Sequence, residues 1–253
     1  MNTMLGDTKT AFIIAGPNGS GKTTFSISLL ENTEILTGAH LNADIIAKAY
    51  MSEDDYKNLT PLQVHLKVSD LVENTIDNLI EQGSNIILET VFSSKYKLDT
   101  YRKLKDAGYF VNVIFVATSD PMINVLNVAS RVKSGGHDVP IEKILSRYDK
   151  SIANAKLISK DADCLILIDN SVQNQSPIIY SALSKGSICL DNGKDKPKWI
   201  QNILDDMNEV SQDEEKVAVC NQIQSVLDNE FMTLIELETD DLLDRIQNTN
   251  SKK

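Results

Sequence analysis

Gly16-Pro17-Asn18-Gly19-Ser20-Gly21-Lys22-Thr23 fits the pattern G-x-x-x-x-G-K-[ST], and its flanks supply the context that the pattern requires. An apolar run, Ala11-Phe12-Ile13-Ile14-Ala15, leads in, and an amphipathic segment from Thr24 to Leu30 leads out. The order is strand, loop, helix, which is that of a phosphate-cradling P-loop. Glycines allow successive backbone N–H groups to curl inward as an anion-binding nest, and the following helix aims its positive end at the same point. Lys22 adds a mobile full charge that would reach the β- and γ-phosphates, and the Thr23 hydroxyl is a ligand of the kind Mg²⁺ takes beside phosphate oxygens. The stretch from Gly16 to Thr24 is therefore expected to bind a nucleoside triphosphate with Mg²⁺.

Working outward, Ala39-His40-Leu41-Asn42-Ala43-Asp44 reads as a second strand with polar residues at its C-terminal end, the edge where open α/β sheets bind ligands. A helix over Asp44 to Tyr50 follows. Between Pro61 and Gln82, Leu62, Leu66, Ser69, Val72, Ile76, Leu79 and Ile80 recur at helical spacing, with Gly83 just past the end. Asn85 to Thr90 is a third strand closing in Glu89 and Thr90, and a helix is predicted from Lys95 to Ala107. The β-branched and aromatic run Phe110 to Val116 is a fourth strand, followed by a helix from Pro121 to Arg131. Alternating strands and helices over this length predict an α/β fold of the P-loop NTPase type, a parallel sheet with helices on both faces.

Arg131 to Pro140 breaks the rhythm: Gly135, Gly136 and Pro140 lie among ionisable residues between two helices, as in a mobile flap. A helix over Pro140 to Ser159 carries Arg147 and Lys150. Cys164 to Ser171 forms a fifth strand with a polar end, and Pro177 to Leu190 predicts two short strands around Ser184-Lys185-Gly186. The turn-forming stretch at 191–198 is read as a linker, which divides the chain into a nucleotide-binding part at 1–190 and a helical C-terminal segment at 199–253.

The chain has 253 residues, 42% of them hydrophobic and 24% charged, which suits a globular α/β core with a smaller appendage. A net charge of -11 argues against nucleic acid as the main substrate, since phosphate backbones are held by clustered Lys and Arg. Cys164, Cys189 and Cys220 are odd in number, far apart and without metal-ligand spacing, which fits a reducing cytosol. The polar N-terminus and the lack of a membrane-length apolar run predict a cytoplasmic protein without membrane attachment.

Phosphoryl transfer asks for positive charge around the transferred group and for a carboxylate to orient or deprotonate the attacking hydroxyl. Asp44, just after the second strand, is the candidate base; its alternative is an N-cap that starts the next helix. Asn42 is read as structural. Glu89 could hold a Mg²⁺-bound water or accept a substrate hydroxyl, with Thr90, Ser93 and Ser94 as hydrogen-bonding candidates. Arg131 and Arg147 flank the flap, and the planar guanidinium fork binds phosphate oxygens two at a time. His137 is expected to make a loop hydrogen bond rather than bind metal, and His65 carries no signal.

Taken together, Gly16 to Thr24, Asn42-Ala43-Asp44, Leu88-Glu89-Thr90, Arg131 through Gly135-Gly136-His137-Asp138-Val139-Pro140 to Arg147-Tyr148, and Asp169-Asn170-Ser171 resemble the zeta toxin family of P-loop kinases in its smaller bacterial branch. The resemblance covers residues 10 to 190. It implies an ATP- and Mg²⁺-dependent kinase of the 3'-hydroxyl of the amino sugar in UDP-N-acetylglucosamine, neutralised by a small helical antitoxin. By matching positions it gives Lys22 and Thr23 to the nucleotide, the base role to Asp44, the substrate to Glu89 and Thr90, and the phosphates to Arg131 and Arg147. The segment after Glu89 and the spacing of the two arginines follow the Gly-Gly-His-Asp-Val-Pro form of the family. Two other readings stay open: a kinase of another small hydroxyl compound, and a nucleotide-binding ATPase switch that acts through a protein partner.

Acidity is concentrated at the C-terminus. Residues 201–253 hold 13 Asp+Glu against 4 Lys+Arg, a net of -9 that leaves -2 for the rest. Trp199, Ile200, Ile203, Leu204 and Met207, then Val217, Cys220, Ile223 and Leu227, follow helical spacing. Such helices could form an extra layer on the core, or cover the basic nucleotide mouth and restrain the enzyme as an antitoxin would.

Overall fold

The computed structural model describes residues 8–32, 38–51, 59–173, 175–205 and 207, with isolated positions 217, 218, 221 and 225. The strands are β1 (Thr10–Ala15), β2 (Ala39–Asn42), β3 (Ile86–Thr90), β4 (Phe110–Ala117), β5 (Cys164–Asp169), β6 (Ile178–Ser184) and β7 (Ser187–Asp191). They form one sheet in the order β2-β3-β1-β4-β5-β6-β7. The first five are parallel, and β6 and β7 add an antiparallel hairpin at the edge. That hairpin is the pair expected around Ser184-Lys185-Gly186, and its turn places Lys185 and Gly186 at positive φ.

β1, β3, β4 and β5 read as near-continuous apolar runs because both of their faces are covered, the rule for parallel sheets. On one face Ala11, Ile13, Leu88, Val113, Phe115 and Leu167 meet the helices α3 (Pro61–Gln82), α4 (Lys95–Asp106), α6 (Ile141–Ile158) and α7 (Lys198–Leu204). On the other, Phe12, Ile14, Ile114 and Ile166 meet Phe25 of α1 (Lys22–Asn32), with Val217 packed against the same cluster. Removing each such side chain from water is worth about 1.5–3 kcal/mol.

Two elements correct the expectations. α3 has the predicted bounds, set by a reciprocal Thr60/Gln63 capping box, Pro61 at its start and Gly83 at φ 66° at its end. Its buried stripe, however, is Val64, Val68, Val72 and Ile76, whereas Leu62 and Leu66 stand 66% and 54% exposed. Several i, i+4 rows of α3 are apolar enough to be candidates, and docking on the sheet selected the row of β-branched residues. Likewise, α7 follows the turn at 192–197 and returns to the main core: Trp199, Ile200 and Ile203 are buried, and the Trp199 ring sits 5.7 Å from that of Phe115. The remainder of the acidic segment lies outside the described residues apart from the isolated positions.

The strand order turns back at β1, whose neighbours are β3 and β4. Ligand crevices open at such a switch point, beyond the C-terminal ends of the strands. The register fills it: Asn42 is level with Glu89, Glu89 with Ile14, and Thr90 with Ala15, one residue before the P-loop begins.

Candidate active site

The loop after β1 is held from outside by asparagines. Asn124 and Asn127 of α5 (Pro121–Lys133) donate to the carbonyls of Asn18 at 2.6 Å and Gly19 at 2.9 Å, and Asn170 just after β5 donates to the Ser20 carbonyl at 3.0 Å. Three successive carbonyls are thereby drawn to one side. Gly19 and Gly21 have φ of 77° and 89°, and a Cβ on them would lie 2.4 Å from the Asn124 carbonyl oxygen and 2.3 Å from Asn170 Nδ2. Only glycine fits the clamped loop. Asn124 is itself fixed by the Thr118 hydroxyl, and the Tyr148 hydroxyl donates to the Thr118 carbonyl at 2.5 Å. Spacing singled out none of these asparagines; Asn170 appeared only within the family match, with no role.

Lys22 opens α1, is buried, and donates to the Pro17 carbonyl at 2.7 Å. Burial pushes its pKa down to about 8, against the partial pull of the Glu89 and Asp44 charges. Thr23 donates to Glu89 Oε1 at 2.5 Å, and Ser26, one turn on, to Glu89 Oε2 at 2.8 Å. Glu89 therefore belongs to the P-loop side of the site as much as to the acceptor side, and its hydroxyl partners explain why an acid closes an otherwise apolar strand. Thr23 and Glu89 give a set of hard oxygen donors, the kind that suits Mg²⁺.

At the end of β2 the side-chain oxygen of Asn42 accepts from Asp44 N at 2.9 Å and Ile45 N at 3.2 Å. Asn42 is thus the cap of α2 (Ala43–Met51), which settles its structural reading and removes the capping alternative for Asp44. The Asp44 carboxylate is exposed and faces the cleft.

Beyond β3, Thr90 is mostly buried and its hydroxyl oxygen accepts from Phe92 N at 3.2 Å. Phe92 has φ 58°, a left-handed conformation that costs a bulky residue of order 1–3 kcal/mol. Asn154 of α6 holds the distorted connection through the Phe92 carbonyl at 2.9 Å, and Ser93 is turned into the cleft. From the other side Arg147 donates to Asn18 Oδ1 at 3.2 Å, while Arg131 donates to the His137 carbonyl at 2.9 Å across the Gly135-Gly136 turn. His137 thus takes part in the flap's hydrogen bonding through its backbone.

One cleft of about 900 Å³ opens here. Asn18, Gly19, Gly21, Lys22, Thr23, Thr24, Asp44, Glu89, Thr90, Ser93, Arg131 and Arg147 line it; Gly16, Pro17 and Ser20 of the same loop do not border it. His65 and Ser69 of α3, and Tyr96 and Lys97 of α4, complete the wall without having been anticipated. Polar residues on helices look like solvent-facing positions until the sheet sets which side of each helix borders the crevice.

The family model for zeta toxins matches residues 3–176. The chain belongs to the zeta toxin family. The zeta toxin of Streptococcus pyogenes is 28% identical over 128 residues, 47% of this chain and 42% of the toxin, so the chain matches less than half of that relative's length. An uncharacterised Haemophilus influenzae protein is 23% identical over 141 residues, 54% of this chain and 91% of its own. The same fold is seen in the AvrRxo1-ORF1:AvrRxo1-ORF2 complex, at TM-score 0.58, 17% identity and coverage of 88% of this chain and 76% of that one. Its form with ATP gives TM-score 0.56 at 16% identity and the same coverage. A chain of the PezAT toxin-antitoxin system of Streptococcus pneumoniae gives TM-score 0.52 at 15% identity, covering 90% and 87%. In this family setting the P-loop, Asp44 and the two arginines meet around one cleft.

Proposed function

We propose that this zeta-family chain is a kinase that transfers the γ-phosphate of ATP to a hydroxyl of a nucleotide sugar such as UDP-N-acetylglucosamine. The observation that carries this reading is Asp44: its helix is capped by Asn42, so its carboxylate is left for chemistry in the cleft that Lys22 also lines. The acceptor hydroxyl oxygen attacks the γ-phosphorus, the bond to the β–γ bridging oxygen breaks, and ADP departs. The hydroxyl proton passes to Asp44. Lys22, Arg131 and Arg147 balance charge on the transferring group, and the asparagine-clamped loop holds the phosphates without reorganising. Mg²⁺, for which Thr23 and Glu89 are the candidate oxygen donors, would neutralise charge on the β- and γ-phosphates when bound. Thr90 and Ser93 position the acceptor.

A restraining protein partner accompanies this reading. A PezAT toxin-antitoxin chain shares the fold, which supports a separate antitoxin, with the chain's own acidic segment as the alternative. The test of the activity is a panel of UDP-sugars and other small alcohols incubated with ATP-Mg²⁺ and read by acceptor mass. Wild type should add one phosphoryl group to a member of the panel, and Lys22→Ala should lose ~10²-fold or more of that rate. ATP consumption that is equal with and without every acceptor would replace the kinase with a switch.

A further inference from the structure

Two adjacent residues of α6 reach the P-loop by different routes. Arg147 donates directly to Asn18 Oδ1 at 3.2 Å. Tyr148 goes round behind the site: its hydroxyl donates to the Thr118 carbonyl at 2.5 Å, the Thr118 hydroxyl to Asn124 Oδ1, and Asn124 Nδ2 to the Asn18 carbonyl at 2.6 Å. The hydrogen bonds therefore close a circuit that leaves α6 at Tyr148 and returns to it at Arg147 through the carbonyl and the side chain of Asn18. A carbonyl can only accept, so Asn124 turns its Nδ2 to Asn18 and keeps Oδ1 for the Thr118 hydroxyl, whose other neighbour is the Asp120 carbonyl at 3.0 Å. Thr118 and Asn124 are fully buried, and Asn18 and Tyr148 nearly so, which makes each joint costly to break. Burial pushes the Tyr148 pKa above the ordinary tyrosine value, so its hydroxyl stays a donor.

Thr118, Asn124 and Tyr148 do not border the cleft, whereas Asn18 and Arg147 do. The two arginines are held differently. Arg131 is exposed and donates to the His137 carbonyl within the flap, so it is tied to the flap, while Arg147 is tied to the loop that cradles the phosphates. A guanidinium stabilises the charge developing on a transferring phosphoryl group when it is already in place, because reorganisation at the moment of reaction forfeits the gain. We propose that Tyr148, Thr118 and Asn124 are positioning residues for phosphoryl transfer: acting through Asn18, they hold the Arg147 guanidinium against the P-loop. The proposal rests on the kinase reading of the cleft and adds to it three residues that lie outside the cleft wall.

The test uses the full chain with ATP-Mg²⁺ and UDP-N-acetylglucosamine as the probe acceptor. Tyr148→Phe and Thr118→Val each remove one joint with little change of shape. Both should lower kcat about 10-fold, the scale of a small misplacement of a catalytic group, with KM for ATP and the calorimetric affinity for a non-hydrolysable ATP analogue unchanged. Thr118→Ser keeps the hydroxyl and should restore most of the rate. Asn18→Ala detaches Arg147 from the loop, so adding Tyr148→Phe to it should cost little more. A second readout needs no acceptor: with arginine side chains ¹⁵N-labelled, the Arg147 Nε–Hε cross-peak, assigned by its loss in Arg147→Lys, should shift in Tyr148→Phe and in Thr118→Val. Wild-type kcat in the folded variants, a Tyr148→Phe loss that reappears in full on Asn18→Ala, or an unmoved Arg147 cross-peak overturns the proposal. Should one of the two variants not fold, the other carries the comparison. Failure of the kinase reading looks different: no acceptor is phosphorylated, and the cross-peak then decides, its shift supporting the circuit and its constancy overturning it.

Discussion

Asn42 and Asp44 are both of types that cap helices, and Asn42 is the one that caps α2. Because the side-chain oxygen of Asn42 accepts from the first N–H groups of α2, Asp44→Asn is expected to leave folding and ATP affinity intact and to remove transfer. Turnover measured beside calorimetric ATP binding checks this; turnover near wild type would return Asp44 to a structural role. Lys22 gives a second expectation at the same scale. Its native pKa is near 8 against an ordinary 10.5, so the native state gives up this proton before the unfolded chain does. Below pH 8 the lysine is charged in both states and the burial cost is fully present. Between about 8 and 10.5 the unfolded state binds more protons, so stability rises with pH. Lys22→Met should therefore be more stable than wild type by about 3–4 kcal/mol at pH 7, with the gap closing toward pH 10.5. Denaturant unfolding across that range, wild type minus variant, isolates Lys22 from the tyrosines that titrate higher.

At the scale of elements, α3 separates helix formation from helix docking. Ile76 is fully buried against the sheet and Leu66 is 54% exposed, although both sit on apolar rows of the same helix. Ile76→Ala is expected to cost about 2–5 kcal/mol and Leu66→Ala within about 0.5 kcal/mol, measured by denaturant unfolding. Comparable losses at the two positions would mean that the helix packs through its other face. The helix itself was legible because Thr60-Pro61, Gln63 and Gly83 encode its two ends locally. The face was not, because it depends on where the strands put their own side chains.

At the scale of the whole molecule, the acidic segment and the core meet at α7. Trp199 is buried, donates from Nε1 to Asp169 at 2.9 Å and packs near Phe115, so this helix anchors the sheet beneath the β5 end of the site. A cut after Lys198 removes Trp199, Ile200 and Ile203 together, and losses of about 3–5 kcal/mol for a single buried tryptophan are enough to unfold a marginal domain. That truncation is expected to be insoluble. A cut after Met207 retains α7 and is the one that bears on restraint: higher turnover or cellular toxicity in soluble, folded protein would support an inhibitory tail, and unchanged kinetics would leave it a packing layer. Val217 against the second sheet face favours the packing layer for at least one of its positions.

The sequence alone determined the P-loop, the strand and helix succession, and much of the cleft's polar lining, because each rests on a local pattern: glycine spacing, period of apolar residues, caps, and acids closing buried strands. What it left open were pairings between distant residues. Asn124, Asn127 and Asn170 became the clamp of the loop only when β4 and β5 were laid beside β1. Glu89 met Thr23 and Ser26 only when β3 was registered on β1, with Glu89 level with Ile14. Asp44 was freed of its capping alternative by a neighbour two residues away. A side chain's type and period are written locally, but its partner is fixed by sheet order and helix docking, which are properties of the whole folded chain.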